Sequence, residues 1–139
     1  MVDVGREEHA IRELLERRRV VWNSRDRLAY RALFTSDVEI VSATGRTSRG
    51  IDAAMALYTE QKQQPSYRDA IITATLIDRV AWLSGAEAQV FATYQMTGVC
   101  IPPDTLPREV EGRIVFSVRK QEDAWKIAGL HAEPPSKAG

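Results

Sequence analysis

Between about Arg6 and Asn23 the apolar residues Ile11, Leu14, Leu15, Val21 and Trp22 recur at helical spacing, which predicts an amphipathic helix with one buried stripe. Asn23-Ser24 ends it. Asp26 is placed to cap a second, short helix that carries Tyr30, Leu33 and Phe34 on one side and closes at Thr35-Ser36-Asp37. The period then changes to two: Val38 to Ser42 reads as a strand, and Thr44-Gly45-Arg46 as a turn. Gly50 precedes a third helix from Ile51 to about Gln63, with Ile51, Ala54, Met55 and Tyr58 on its apolar side. The polar run Gln61-Lys62-Gln63-Gln64-Pro65 breaks it.

After Tyr67 the chain reads as β-structure. Strands are predicted over about 68–83, 87–99, 112–120 and 125–133, with turns at Ser84-Gly85 and Gln121-Glu122-Asp123. Ile101 to Pro107 holds three prolines, which remove ladder donors, so it is expected to be a loop that either covers a pocket mouth or simply joins two strands. The tail from Pro134 is expected to fray. Helices first and an antiparallel meander afterwards define an α+β class: a curved antiparallel sheet wrapped around a long N-terminal helix with two shorter helices, in a cone or barrel. The 139 residues fit a single domain, 1–139, with its ordered core at about 6–133.

Composition narrows the function classes. Lys and Arg number 19 and Asp and Glu 19, so the broad basic footprint of nucleic-acid binding is absent. No window reaches membrane-spanning length and no basic leader precedes an apolar run, so the expectation is a soluble, cytoplasmic protein without a membrane partner. Cys100 is the only cysteine, which excludes an intrachain disulfide; with two distant histidines it offers no metal-ligand spacing. The glycines are scattered at turns rather than gathered in a phosphate loop. No metal and no cofactor are expected.

Four segments, taken in order, point to a family. They are EEHAIRELLERRRVVWNSRD, LFTSDVEIV, SATGRTSRGIDAA and VFSVRKQEDAWKIAGLHAEP. Together they resemble the nuclear transport factor 2-like, or SnoaL-like, superfamily over about residues 6–133. The resemblance implies an α+β cone whose concave sheet face and first helix enclose a pocket, and a tendency to pair as homodimers. It spans isomerases, cyclases, dehydratases, epoxide hydrolases and transport adaptors, so the chemistry has to come from the residues. Members that resemble ketosteroid isomerase use an aspartate base on the first strand and an acidic hydrogen-bonding pair. Here the corresponding positions hold Ser42, Arg18, and Ile114 or Gly112, so that proton shuttle is not expected. Epoxide-hydrolase members combine two carboxylates with an arginine, and this chain offers the arginine without a clear pair.

Arg18 lies on the stripe of Ile11, Leu14, Leu15 and Trp22. An arginine there pairs with an anion, snorkels to water, or meets a polar group of a ligand. His131 shares strand parity with Trp125 and Ile127, which points it inward unless a bulge intervenes. Trp22, Tyr30, Tyr58 and Tyr94 fall on core faces, where they either pack or line a cavity, and Ser42 is a hydrogen-bonding wall residue without an activating base. The leading reading is a cofactor-free cyclase, isomerase or dehydratase acting on an apolar, carbonyl-bearing molecule such as a polyketide or steroid-like metabolite. In it Arg18 and His131 are catalytic, and Trp22, Tyr30, Ser42, Tyr58 and Tyr94 form the pocket. The alternative is a non-catalytic ligand-binding or dimeric assembly domain. A homodimer through the outer sheet face, around Phe91 and Val115, is expected in both.

Overall fold

The structure, a computed structural model, describes residues 3–100 and 106–137. Most of the proline-bearing loop expected at 101–107 therefore lies outside the described residues. Helix α1 (Val4–Ser24) opens where the Asp3 side chain accepts from the Arg6 amide at 3.1 Å, and it stops at Arg25 in a left-handed conformation (φ 64°). Its buried side holds Ile11, Leu14, Leu15, Arg18 and Trp22, the stripe the sequence predicts with the arginine inside it. Helix α2 (Arg27–Arg31), capped by Asp26, is shorter than expected. Leu33 and Phe34 leave it because the Leu33 carbonyl already accepts from the Ile127 amide at 2.8 Å, which starts the first strand, β1 (Phe34–Val41). Strand β2 (Thr47–Arg49) follows, and α3 (Ile51–Gln63) begins after Gly50, whose φ of 85° suits a residue without Cβ.

Four long strands complete the sheet: β3 (Ile71–Ser84), β4 (Glu87–Val99), β5 (Arg108–Gln121) and β6 (Ala124–Ala132). The spatial order is β2-β1-β6-β5-β4-β3, and the sheet is curved but unclosed. The pairings are antiparallel except one: β1 runs parallel to β6. The meander is antiparallel as expected, and the parallel pairing belongs to the early strand, whose partner the sequence left unassigned. That pairing arises because β1 and β6 are joined through α3 and the whole meander rather than by a hairpin. The tail does not simply fray either. Strand β7 (Ser136–Lys137) pairs with the start of β5, which begins earlier than predicted and offers a free edge there.

Two clamps fix α1 against the concave face. At its C-terminal end the Asn23 amide mimics a strand: Nδ2 donates to the Ile72 carbonyl at 2.9 Å and Oδ1 accepts from the Ile72 amide at 2.8 Å. At its N-terminal end Glu7 accepts from Lys120 Nζ at 2.6 Å and from Trp125 Nε1 at 2.5 Å. Those two donors, Lys120 first, hold the Glu7 carboxyl below the usual carboxylate range. Between the clamps, Ile11 and Leu15 belong to one buried cluster with Val90, Ile114, Phe116 and Ile127, all at most 2% exposed. Among the described residues no helix is long and apolar enough to cross a membrane, and no group of three or more His, Cys, Asp or Glu could hold a metal ion.

Candidate functional site

The concave face does not fill completely. A cavity of about 50 Å³ lies between α1, α3 and the sheet, bordered by Arg18, Trp22, Tyr30, Ser42, Tyr58 and Tyr94. All six are residues singled out from the sequence. Leu57, Gln61, Tyr67, Ile72 and Met96 complete much of the wall. At roughly 10–15 Å³ per water-sized sphere this space holds a few waters or a compact organic group. Pockets for drug-sized ligands run to about 300–1,000 Å³, so a steroid-like or polyketide ligand is larger than the enclosed space.

The aromatic wall is ordered by its own contacts. Tyr30 stacks on Tyr58 with ring centres 4.1 Å apart, and Trp22 meets Tyr58 edge-on at 6.4 Å. The Tyr58 hydroxyl donates to the Trp22 carbonyl at 3.0 Å, and the Tyr94 hydroxyl donates to the Glu133 carbonyl at 2.7 Å. Burial pushes the Tyr58 phenol up to about 12 and raises those of Tyr30, Tyr67 and Tyr94 as well. These phenols therefore keep their protons at neutral pH and act as donors, not bases. Ser42 is held in its turn: Oγ lies 2.8 Å from Thr44 Oγ1 and accepts from the Arg46 amide at 3.2 Å.

Arg18 is 6% exposed, with its guanidinium carbon 5.5 Å from the Phe116 ring centre. It does not snorkel. Its Nε has no hydrogen-bond partner, the Tyr30 hydroxyl is its polar neighbour, and no carboxylate lines the cavity among the described residues. A second cation stands close by. Lys62, 7% exposed, sets Nζ 3.1 Å from the centre of the Trp22 ring and forms no ion pair among the described residues. Burial first, then the positive charges of Arg25 and Arg18, push its ammonium down to about 7.

His131 is not part of this site. A register shift between β5 and β6 pairs Ser117 with Gly129 but Val118 with Ile127, leaving Ala128 as an extra residue. The bulge reverses parity after Ile127, so Leu130 is buried and His131 is exposed on the outer face beside Val41 and Val115. Conversely, Lys62 and Tyr67 were hidden from sequence reasoning in what reads as a polar helix-breaking stretch. The signal for Lys62 was present: it follows Met55 and Tyr58 at seven and four residues, on the same stripe of α3.

A model of the SnoaL-like domain family matches residues 5–131. The chain belongs to that family. No curated protein matches this SnoaL-like domain in sequence, but solved structures do in fold. A hexachlorocyclohexane dehydrochlorinase, LinA-type3, from Novosphingobium barchaimii superposes with a TM-score of 0.80 at 14% identity, covering 99% of this chain and 93% of its own. A ketosteroid isomerase-like protein from Erwinia carotovora gives 0.72 at 17% identity, over 90% and 93%. An NTF-2 like protein of unknown function from Shewanella oneidensis gives 0.69 at 22% identity, over 91% and 98%. At such identities the likeness establishes the α+β cone and leaves the chemistry to the residues.

Proposed function

We propose that this SnoaL-like domain is a cofactor-independent enzyme of the isomerase, cyclase or dehydratase kind, acting on a compact, apolar, carbonyl-bearing molecule. The observation that carries the reading is Arg18: a guanidinium buried on an aromatic wall, with an Nε unpartnered among the described residues at a cavity that none of their carboxylates lines. A cation held ready in a low-dielectric site stabilises negative charge as it develops on a carbonyl oxygen during enolisation or elimination. Tyr67 adds a protonated hydroxyl on the same wall. The dehydrochlorinase and isomerase-like neighbours share the fold in which such reactions are run, which supports the class and not the substrate. The reading takes residues 1–139 as one cytoplasmic domain that pairs through the outer sheet face, where Phe91 and Val115 are half-buried.

The test is a screen of small enolisable ketones and β-hydroxy carbonyl compounds, followed by Arg18→Met on any substrate found. Loss of about 100-fold in kcat, the scale of removing one oxyanion donor, is the expected result. Full turnover in the variant overturns the assignment. A second reading, a binding or assembly domain, is favoured by the placement of His131 outside and by the absence of a pocket carboxylate among the described residues. A ligand bound in stoichiometric amount and recovered unchanged would establish it.

A further inference from the structure

Arg18 and Lys62 are the buried charged side chains among the described residues, and both are cations. Neither has a carboxylate partner among the described residues, although exposed arginines nearby do: Arg19 with Glu16 at 2.5 Å, Arg31 with Asp52 at 3.0 Å, and Arg46 with Glu60. Arg25, close enough to depress the Lys62 ammonium, spends its guanidinium on the Arg68 carbonyl. A buried charge without a counter-ion costs several kcal/mol, by order of magnitude, and chains that bury an arginine ordinarily bury an acid with it. Here no acid among the described residues lines the cavity, while the wall leaves Arg18 Nε unsatisfied and space beside it.

We infer that the pocket takes its small molecule as an anion, a carboxylate on a short apolar body, with the carboxylate facing Arg18 and Lys62 adding to the attracting field. The inference rests on the pocket reading above and names the class of compound that enters it. The planar guanidinium suits a carboxylate, because two parallel N–H donors meet two oxygens. The stacked Tyr30 and Tyr58 rings and Trp22 receive the apolar body, and the cavity volume limits it to a few carbons. Tyr94 is excluded as the anion's donor, since its hydroxyl already donates to the Glu133 carbonyl.

The experiment is a calorimetric titration of the whole chain with crotonate and with crotonamide, which share shape and differ in charge. Crotonate is expected to bind at least about 10-fold more tightly, the scale of a charge-assisted contact over a neutral one. Arg18→Gln should abolish that preference, Arg18→Lys should keep part of it, and Lys62→Met should reduce it by about threefold. Equal or tighter binding of crotonamide overturns the anion inference and leaves the carbonyl-pocket reading standing. Binding of neither probe at millimolar concentration, unchanged in the Arg18 variants, overturns the pocket reading and the anion inference together.

Discussion

Strand β5 carries Arg119 on its outer face, 3.3 Å from the Asp37 carboxylate, and Phe116 on its inner face beneath the Arg18 guanidinium. The same contrast holds across the sheet. Outside, Arg49 faces Glu39 at 3.6 Å and Arg79 lies 4.1 Å from the Phe91 ring centre, all partly in water. Inside, two cations are buried against aromatic rings with no carboxylate among the described residues beside them. Outer charges are satisfied by neighbours and solvent, so each is worth little. Inner charges are a cost to the empty fold, and the difference locates where a ligand can contribute what the protein lacks.

The glycines on the two faces give the largest expected contrast. A Cβ at Gly112 would stand 2.4 Å from the Tyr94 hydroxyl and 2.5 Å from its ring, whereas at Gly129 the nearest atom would be the Ser117 Cβ at 3.3 Å. Gly112→Ala must therefore move the whole ring and break its bond to Glu133, costing about 3 kcal/mol. Gly129→Ala should cost under about 1 kcal/mol. Urea denaturation measures both, and equal costs would remove the idea that the inner wall is the tightly specified one.

Next in size is Arg18→Met. Because no carboxylate partner among the described residues is left behind, replacing the buried cation with an apolar chain of similar length should stabilise the empty domain by about 1–3 kcal/mol. Arg119→Met on the outer face should stay within about 0.5 kcal/mol of the parent. A destabilised Arg18→Met would mean that the guanidinium is already satisfied by the fold, and the inner face would lose its distinction.

How far the inner face could be read in advance follows from the same physics. Periodicity placed Arg18, Trp22, Tyr30, Tyr58 and Tyr94 on the cavity because helix and strand periods are long-range regular and those residues lie mid-element. It misplaced His131 because one extra residue, Ala128, reverses every later position on β6, and a bulge among small residues leaves no mark in the pattern. Lys62 was passed over because polar residues near a helix end usually signal a stop, while here the stripe of α3 carries the lysine inward. The parallel β1–β6 pair was equally unreadable, since pairing partners far apart in sequence have no local signature.

The third prediction concerns pH. Lys62 titrates near 7 in the fold and near 10.5 when unperturbed. Between these values the unfolded chain binds a proton that the folded chain does not, so stability rises with pH across the window, by at most about 1.4 kcal/mol per unit. Above about 10 the buried tyrosines, with raised phenol values, reverse the slope, because the unfolded chain then loses protons first. Urea midpoints from pH 7 to 9.5 should climb in the parent and flatten in Lys62→Met. A parent profile already as flat as the variant's would mean that Lys62 reaches solvent.

The smallest effect is expected at His131, and it separates the two faces most cleanly because the residue was a reasonable candidate for the inner one. It is exposed and paired across the strands with Val41 and Val115. His131→Phe should leave crotonate affinity and any turnover within about twofold and stability within about 0.5 kcal/mol. What it changes is the apolar area of the outer face, so under the proposed pairing through that face self-association measured by sedimentation should tighten by no more than about fivefold, equivalent to about 1 kcal/mol. His131→Glu, placed near Asp37 and Glu39 on that surface, should weaken the proposed association by a similar factor through like-charge repulsion, with the pocket again untouched. A large loss of turnover in His131→Phe alone would put the imidazole back at the reacting atoms and would require β6 to shift by one residue in solution.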